Sequence, residues 1–225
     1  MNTAFTHDEL RIGIDLGGSK IEGVSIDSEG SELERYRVVT PRHDYKATIE
    51  SIVDLTAQLT QGFNAKAMIG VGVPGSISPA TGVMQNANST WLNGRAFDAD
   101  LAAALGSPVR LANDANCFAL SEAIDGAAEG IAIAFGVILG TGCGGGLVVN
   151  GRLLDGPRVI GGEWGHNPLP WSKPNEKPGP ECWCGRKGCL ETCVSGPGMD
   201  PEHCRQTAET RTAKQIADQA ARGDT

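Results

Sequence analysis

Three cysteines and one histidine form a dense group of candidate metal ligands in this sequence. Cys182, Cys184 and Cys189 lie within eight residues, and His166 lies 16 residues before Cys182. Structural zinc sites take four nitrogen or sulfur ligands in a tetrahedron, and three cysteines with one histidine are a common set. The alternative is that the cysteines are buried and act as small apolar side chains. Their charged and glycine-rich neighbours favour zinc.

The segment that carries these ligands is predicted to be a loop that a metal organises. Five prolines between His166 and Cys182 exclude a regular helix or a central strand there. Gly185 and Gly188 allow the chain to fold back, so that Cys189 can face the same ion. A loop with little core of its own can depend on a metal for its fold. Zinc held by four protein ligands would be structural, because it has no open position for water.

Two glutamates flank this loop and point to a possible ligand. Glu163 precedes His166 by three residues, and Glu191 follows Cys189 by two. A histidine that binds a metal through one ring nitrogen has a fixed orientation. The imidazole and the two carboxylates are therefore predicted to bind the hydroxyl groups of a polyhydroxylated ligand. Taken singly, each glutamate reads as a solvated surface charge.

Composition narrows the class of protein. The 225 residues are 40% hydrophobic but only 5% aromatic, which predicts an aliphatic core in one large domain or two lobes. A net charge of −8 argues against a nucleic-acid or anionic membrane partner, and no run of 18 apolar residues is present. Seven partly clustered cysteines indicate reduced thiols and a metal site. The first ten residues lack the apolar segment of a signal peptide, so the predicted location is the cytoplasm.

Two glycine-rich turns occur in similar surroundings. Residues 17–20 separate predicted strands at 11–16 and 21–27, and residues 140–146 follow a predicted strand at 131–139. The order strand, glycine turn, strand, turn, strand thus occurs twice, about 125 residues apart. Neither turn leads into a helix, so neither is a Walker A or Rossmann element. Each alone could be an ordinary hairpin turn, but the repetition favours two lobes whose backbone N–H groups hold phosphates in a shared cleft.

Asp114 supports two interpretations. It follows a predicted strand at residues 108–111 and opens a predicted helix, so it could be the helix N-cap. It is also a carboxylate at the carboxyl end of a strand, where open α/β sheets bind ligands. The spacing supports both equally. The other predicted elements are a helix at 45–62, a strand at 68–73, a helix capped by Asp98 and ending at Gly106, a hairpin turn at Asn150-Gly151, and a last helix reaching Arg222.

Together, several segments resemble the ROK family of bacterial sugar kinases and repressors. The segments are residues 15–20, 140–146, 162–166 and 182–191, with 86–94 and 113–122 most similar to the fructokinase (mannofructokinase) branch. The resemblance extends from Arg11 to about Gly198. Ser19 stands where the family usually has threonine, and the hydroxyl is kept.

This resemblance implies an α/β, actin-like ATPase (ribonuclease H-like) fold with two lobes and a zinc-binding loop insertion. The lobes would be residues 1–126 and 127–225. The second lobe is expected to be truncated, because it is shorter than the first. In addition, the family's later Gly-Gly turn, which contacts the adenosine, is not found after Gly198.

The resemblance also implies roles for individual residues. Asp114 would be the catalytic base, and Asp15 would lie near Mg²⁺. ATP phosphates would be held by Gly13, Asp15, Leu16, Gly17, Gly18, Ser19, Lys20, Gly140, Thr141, Gly142, Cys143, Gly144, Gly145 and Gly146. Sugar hydroxyls would be held by Asn88, Asn113, Asp114, Glu163, His166 and Glu191. Zn²⁺ would be held by His166, Cys182, Cys184 and Cys189.

The predicted function is therefore ATP-dependent phosphorylation of a hexose, with fructose 6-phosphate as the expected product and a homodimer as the expected assembly. One alternative is a non-catalytic sugar-binding protein held together by zinc. Another is a sugar-sensing regulator, which would need a basic helix-turn-helix module before the first strand. The first ten residues contain no lysine or arginine and do not supply one.

Overall fold

The computed structural model describes residues 10–63 and 67–223, which form two compact units. The first unit ends at Cys117 and also includes Gly156–Ile160; the second comprises Phe118–Asp155 and the residues from Gly161 onward. The predicted lobe boundary at residue 126 stays a prediction. The predicted lack of a signal peptide concerns residues that lie almost wholly outside the described part.

The first unit is built on a five-stranded sheet with the order β3-β2-β1-β4-β7. Strand β1 pairs antiparallel with β2 but parallel with β4, which in turn pairs parallel with β7. The carboxyl ends of β1, β4 and β7 therefore lie at one edge of the sheet. The strands of this unit are β1 (Leu10–Leu16), β2 (Lys20–Ile26), β3 (Glu32–Val39), β4 (Ala67–Val73), the short pair β5 (Ser76–Ile77) and β6 (Met84–Gln85), and β7 (Val109–Asn113).

Two helices accompany this sheet. Helix α1 (Tyr45–Leu59) begins after Asp44, whose side chain accepts a hydrogen bond of 2.9 Å from the Ala47 N–H. Helix α2 (Phe97–Leu105) ends at Gly106, which has a left-handed φ of 60°. The prediction that Asp98 caps α2 is wrong. The helix already begins at Phe97, so Asp98 lies in its first turn. A carboxylate there is stabilised by the positive end of the helix dipole.

The main aliphatic core lies in the first unit. The Ile52, Leu55 and Leu59 side chains of α1 are fully buried in the same cluster as the inward-facing residues of β1 and β4. Helix and sheet approach closely at Gly23, where an added Cβ would lie 2.6 Å from Cδ1 of Leu59. The low aromatic content thus yields an aliphatic core, as predicted.

The second unit contains a three-stranded antiparallel sheet with the order β10-β9-β8. Its strands are β8 (Ile133–Leu139), β9 (Cys143–Val149) and β10 (Arg152–Leu153). The Asn150-Gly151 pair connects β9 to β10 with φ angles of 49° and 71°, as its sequence predicts. Alternate side chains of β8 are exposed, including Phe135 (49%) and Leu139 (59%). Packing of aliphatic side chains therefore contributes less here than in the first unit.

The remaining helices are α3 (Asp114–Asp125), which follows β7, α4 (Glu191–Val194), α5 (Gly196–Thr207) and α6 (Ala213–Ala221). Helix α5 has no counterpart among the predicted elements, and Pro201 lies inside it. It forms because Ser195 caps its start by accepting a hydrogen bond from the Gly198 N–H, and Pro197 occupies its first turn. No helix of the described residues is long and apolar enough to cross a membrane. The cytoplasmic location stays a prediction.

Candidate active site and metal centre

Two aspartates lie where the parallel strands of the first unit end. Asp15, near the end of β1, pairs in register with Gly72 of β4, which pairs with Ala112 of β7. Asp114 follows β7 directly, and a Cβ on Gly72 would lie 3.8 Å from the Asp114 Cα. The carboxylates are thus brought to one edge of the sheet from positions 99 residues apart in sequence.

The structure distinguishes the two interpretations of Asp114. The Asn113 side chain accepts a hydrogen bond of 3.0 Å from the Asn116 N–H, which is the bond of a helix N-cap. Asp114 is the first residue of α3, and its Oδ1 accepts a bond of 2.7 Å from the Ala115 N–H. Since Asn113 caps the helix, the Asp114 carboxylate is not needed for capping and can take part in chemistry.

Burial raises the pKa of the Asp114 carboxyl above its ordinary value of 3.8, and the negative charge of Asp15 raises it further. The Ala115 N–H opposes these effects only in part. The pKa of Asp15 is also raised, first by burial and then by Glu22, while Lys20 lowers it. Two carboxylates that repel each other electrostatically would both be stabilised by a divalent cation, and carboxylate oxygens are ligands that Mg²⁺ accepts.

The first glycine turn joins β1 to β2, and side chains that follow β3 hydrogen-bond to it. The Gly17 N–H donates to the Lys20 carbonyl at 3.0 Å, and a Cβ on Gly17 would lie 2.9 Å from that oxygen. The Thr40 hydroxyl donates to the Gly17 carbonyl at 2.7 Å, and the Arg42 guanidinium donates to the Gly18 carbonyl at 2.9 Å. These bonds fix the turn, as a preformed phosphate-binding turn requires.

Not every residue predicted to hold phosphate lies at this turn. Gly13 lies inside β1, paired with Val24 and Gly70. Leu16 is fully buried, so only its backbone can face a ligand. Ser19 and Lys20 are exposed at the turn. These assignments stay predictions.

The loop that carries Asn88 is closed by Asn93. The Asn93 side chain bonds both backbone groups of Ala87, each at 2.9 Å, so it is engaged within the loop. Asn88 is exposed next to Ser89, which is only 2% exposed. Among the described residues, the Ser89 hydroxyl is one of the few buried polar atoms without a partner, and a Cβ on Gly18 would lie 3.8 Å from it. No sequence pattern marked Ser89.

In the second unit, residues 140–142 form the turn between β8 and β9. The Gly140 N–H donates to Gly142 at 2.9 Å, and the Gly140 carbonyl accepts a 2.8 Å bond from the Gly196 N–H. Gly145 instead lies inside β9, where a Cβ would come 2.7 Å from the Gly162 carbonyl oxygen. This glycine is required by packing against the segment at 161–165, a reason different from the predicted phosphate contact.

The donor atoms of the four predicted metal ligands lie close together. The donor atoms of His166, Cys182, Cys184 and Cys189 all lie within 4.8 Å of one another. The Cys182 Sγ lies 3.5 Å from His166 Nδ1, and the Cys184 and Cys189 Sγ atoms lie 3.7 Å apart. Ligand atoms about 2.0–2.3 Å from a central zinc lie about 3.3–3.8 Å from one another in a tetrahedron, so this donor set suits zinc.

The loop reaches this arrangement through tight turns. Gly185 and Gly188 have left-handed φ angles of 84° and 68°. The Cys182 N–H donates to the Arg186 carbonyl at 2.8 Å, and the Gly185 N–H donates back to Cys182 at 2.9 Å. The glycines therefore fold the chain back, as the sequence predicts.

The two glutamates beside the metal ligands differ in environment. Glu163 is exposed, and His166 is half-buried. Glu191 is only 8% exposed, and its carboxylate accepts hydrogen bonds from the Cys143 N–H at 2.9 Å and the Trp183 indole N–H at 2.6 Å. The predicted sugar contact of Glu191 stays a prediction. No sequence pattern connected Trp183 with Glu191.

The fold is that of the actin-like ATPase class. The ROK family model matches residues 11–225, and the chain belongs to the ROK family. It is 42% identical over 191 residues to an N-acetyl-D-glucosamine kinase of Citrobacter koseri. The aligned residues cover 83% of this chain and 63% of that relative. The chain thus spans a little under two thirds of the length of this relative.

Solved structures confirm the predicted α/β, actin-like fold. A ROK hexokinase from Thermus thermophilus superposes with a TM-score of 0.73 and 30% identity. The match covers 96% of this chain and 70% of the hexokinase chain. A ROK glucokinase from Streptomyces griseus, in complex with glucose and AMPPNP, matches 96% of this chain and 72% of its own with a TM-score of 0.76 and 26% identity.

Proposed function

We propose that this protein transfers a phosphoryl group from ATP to a hydroxyl of a hexose, with Asp114 as the general base. The observation that carries this proposal is the Asp114 carboxylate at the start of α3, beside Asp15 and at the edge where the parallel strands end. Its raised pKa suits a base that must accept a proton near neutral pH.

The proposed chemistry follows from the weakness of an alcohol as a nucleophile. Asp114 accepts the hydroxyl proton as the oxygen attacks the γ-phosphorus, and the bond from that phosphorus to the bridging oxygen breaks to release ADP. Asp15 would hold Mg²⁺, which would offset the charge of the phosphates. Backbone N–H groups of the turns at 17–19 and 140–142 bind phosphate oxygens. Asn88, Glu163 and His166 bind other sugar hydroxyls.

Zinc is proposed as a structural ion. His166, Cys182, Cys184 and Cys189 supply four ligands, which leaves no position for an activated water. When bound, zinc would fix the orientation of the His166 ring. The homodimer stays a proposal based on the family resemblance.

N-acetyl-D-glucosamine is the proposed substrate. A relative with 42% identity to this chain is named an N-acetyl-D-glucosamine kinase, and the same name is given to a Yersinia enterocolitica relative with 39% identity. The fructose preference predicted from residues 86–94 and 113–122 has no such support. Fructose therefore enters the test as the second candidate.

The test is sugar-dependent ADP release with N-acetyl-D-glucosamine, fructose, glucose and mannose. Asp114→Asn is expected to lower kcat about 10²–10⁴-fold while sugar affinity is largely unchanged, because only the proton acceptor is lost. Asp54→Asn, an exposed substitution on α1, is the matched control. A near wild-type rate for Asp114→Asn would remove Asp114 from this role. Sugar binding without ADP release would instead support the non-catalytic alternative.

A further inference from the structure

Glu191 connects the metal-binding loop to the second glycine turn. One carboxylate oxygen accepts from Trp183, which lies between two of the cysteine ligands, and the other accepts from the backbone of Cys143, the first residue of β9. In both bonds an N–H group donates to a carboxylate oxygen, and the carboxylate is almost fully buried. Such charge-assisted bonds are roughly twice as strong as neutral ones.

The Trp183 end of this connection is fixed by the metal ligands. Trp183 is flanked by Cys182 and Cys184, so its backbone follows theirs. Its ring also packs edge-on against the His166 ring, with centroids 4.9 Å apart and planes at 75°. The Cys/His cluster and the packing against His166 therefore place the indole N–H where it reaches Glu191.

The Cys143 end belongs to the glycine turn. Residues 140–142 precede Cys143 directly, and the short helix α4, which begins at Glu191, leads to Gly196, whose N–H bonds the Gly140 carbonyl at 2.8 Å. Glu191 also donates its own N–H to the Gly165 carbonyl at 2.8 Å. Both ends of the turn are thus bonded to the α4 region.

We infer that Glu191 is a positioning residue that makes the order of the second glycine turn depend on the metal loop. Without the metal, the loop releases Trp183, the carboxylate loses one of its two donors, and the Cys143 amide is held less firmly. The consequence for nucleotide affinity rests on the proposed kinase function; the structural coupling does not.

The first test measures amide hydrogen exchange of a peptide covering residues 140–147. Glu191→Gln replaces one accepting oxygen by a donor, and Trp183→Phe removes the indole N–H while keeping a ring against His166. Each is expected to raise exchange at the Cys143 amide by about tenfold, since a buried group loses a partner. The double variant should add little to Glu191→Gln alone, because both changes break the same connection.

Glu181→Gln is the matched control. Glu181 lies in the same loop, but its side chain is 83% exposed and pairs with Lys187 at 3.1 Å. Its substitution should leave exchange at 140–147 unchanged. Protein stripped with a chelator, and checked for metal content, should show the same increase as Glu191→Gln. Wild-type exchange in the stripped protein, or in both Trp183→Phe and Glu191→Gln, would overturn the inference.

The second test measures AMP-PNP affinity by calorimetry. A weaker affinity in Trp183→Phe supports the coupling, since Trp183 is not a predicted ligand of either substrate. A change in sugar affinity alone, with exchange at Cys143 as in the wild type, would make Glu191 a sugar ligand only and overturn the inference. If the exchange results hold but the wild-type protein binds no nucleotide, the coupling stands and the proposed kinase function fails. If Glu191→Gln does not fold, Trp183→Phe and the stripped protein decide.

Discussion

At the scale of residues, the Asp114 carboxyl is subject to opposing effects. Burial raises its pKa, the Ala115 N–H lowers it and the nearby Asp15 raises it, and the net shift is upward. The proposed general base must be unprotonated to act, so this shift would narrow the pH range of activity from the acidic side. In the proposed role, the raised pKa also gives the carboxylate a higher affinity for the proton of the sugar hydroxyl.

The acidic limb of the kcat/KM profile is therefore expected above the ordinary aspartate value of 3.8. Activity should fall as pH decreases through the raised pKa, because Asp114 then becomes protonated. In Asp15→Asn the limb should move to lower pH, since the neighbouring negative charge that raises the Asp114 pKa is gone. A pH–rate series on both proteins measures this. A limb that stays in place or moves to higher pH would contradict the assignment.

At the scale of elements, helix α1 contributes three fully buried side chains to the core of the first unit. Leu55→Ala is expected to lower the free energy of unfolding by about 2–5 kcal/mol, because it removes buried methyl groups and leaves a cavity. Urea denaturation measures the change. Val39→Ala, at a position on β3 that is 80% exposed, should change stability little. Equal effects of the two substitutions would contradict this account of the core.

The segment at residues 161–166 is positioned by close backbone contact with β9. A Cβ on Gly165 would lie 2.3 Å from the Cys143 carbonyl oxygen, so a side chain cannot be added without displacing the segment. Gly165→Ala is therefore expected to move His166 and reduce the bound metal per chain. Metal analysis of the purified protein tests this. In Gly70→Ala, the added Cβ has no atom within 4 Å, and metal content should remain that of the wild type.

At the scale of the whole molecule, the two units are stabilised differently. The large aliphatic cluster lies in the first unit, whereas the Cys/His cluster lies in the second, where β8 exposes apolar side chains. Removal of the metal should therefore affect the second unit most, because the only buried residues of its loop at 167–190 are two of the predicted ligands, Cys182 and Cys189.

One metal ion per chain is expected, and Cys184→Ser should lose it. Trypsin should then cut first at Arg186 and Lys187 of the metal loop, since Lys173 and Lys177 precede prolines and resist cleavage, whereas Arg11 of β1 stays protected. Chelation of the wild-type protein should reproduce this pattern. Cys204→Ser, which changes an exposed cysteine outside the cluster, should keep both metal and protection. Full metal content in Cys184→Ser would exclude the assigned ligand set.

Features that depend on neighbouring residues could be predicted from the sequence alone. The Cys/His cluster could be predicted because Cys182, Cys184 and Cys189 lie on one short loop with glycines that allow it to fold back. The strands of both glycine hairpins followed from alternation and turn residues, and the Asn150-Gly151 turn from its own backbone preference. Asp114 can be singled out because it directly follows a strand, but its role as the base stays a prediction.

Other features were decided only by the folded structure, because they depend on local backbone geometry or on contacts between residues far apart in the chain. Asn113 caps α3 and leaves Asp114 free of that role, although both residues are suitable caps by type. Position 145 requires glycine because residue 162 packs against it. The Glu191 carboxylate is buried where it accepts hydrogen bonds from Cys143 and Trp183. The sequence contains these residues, but only the folded chain brings their atoms within hydrogen-bonding distance.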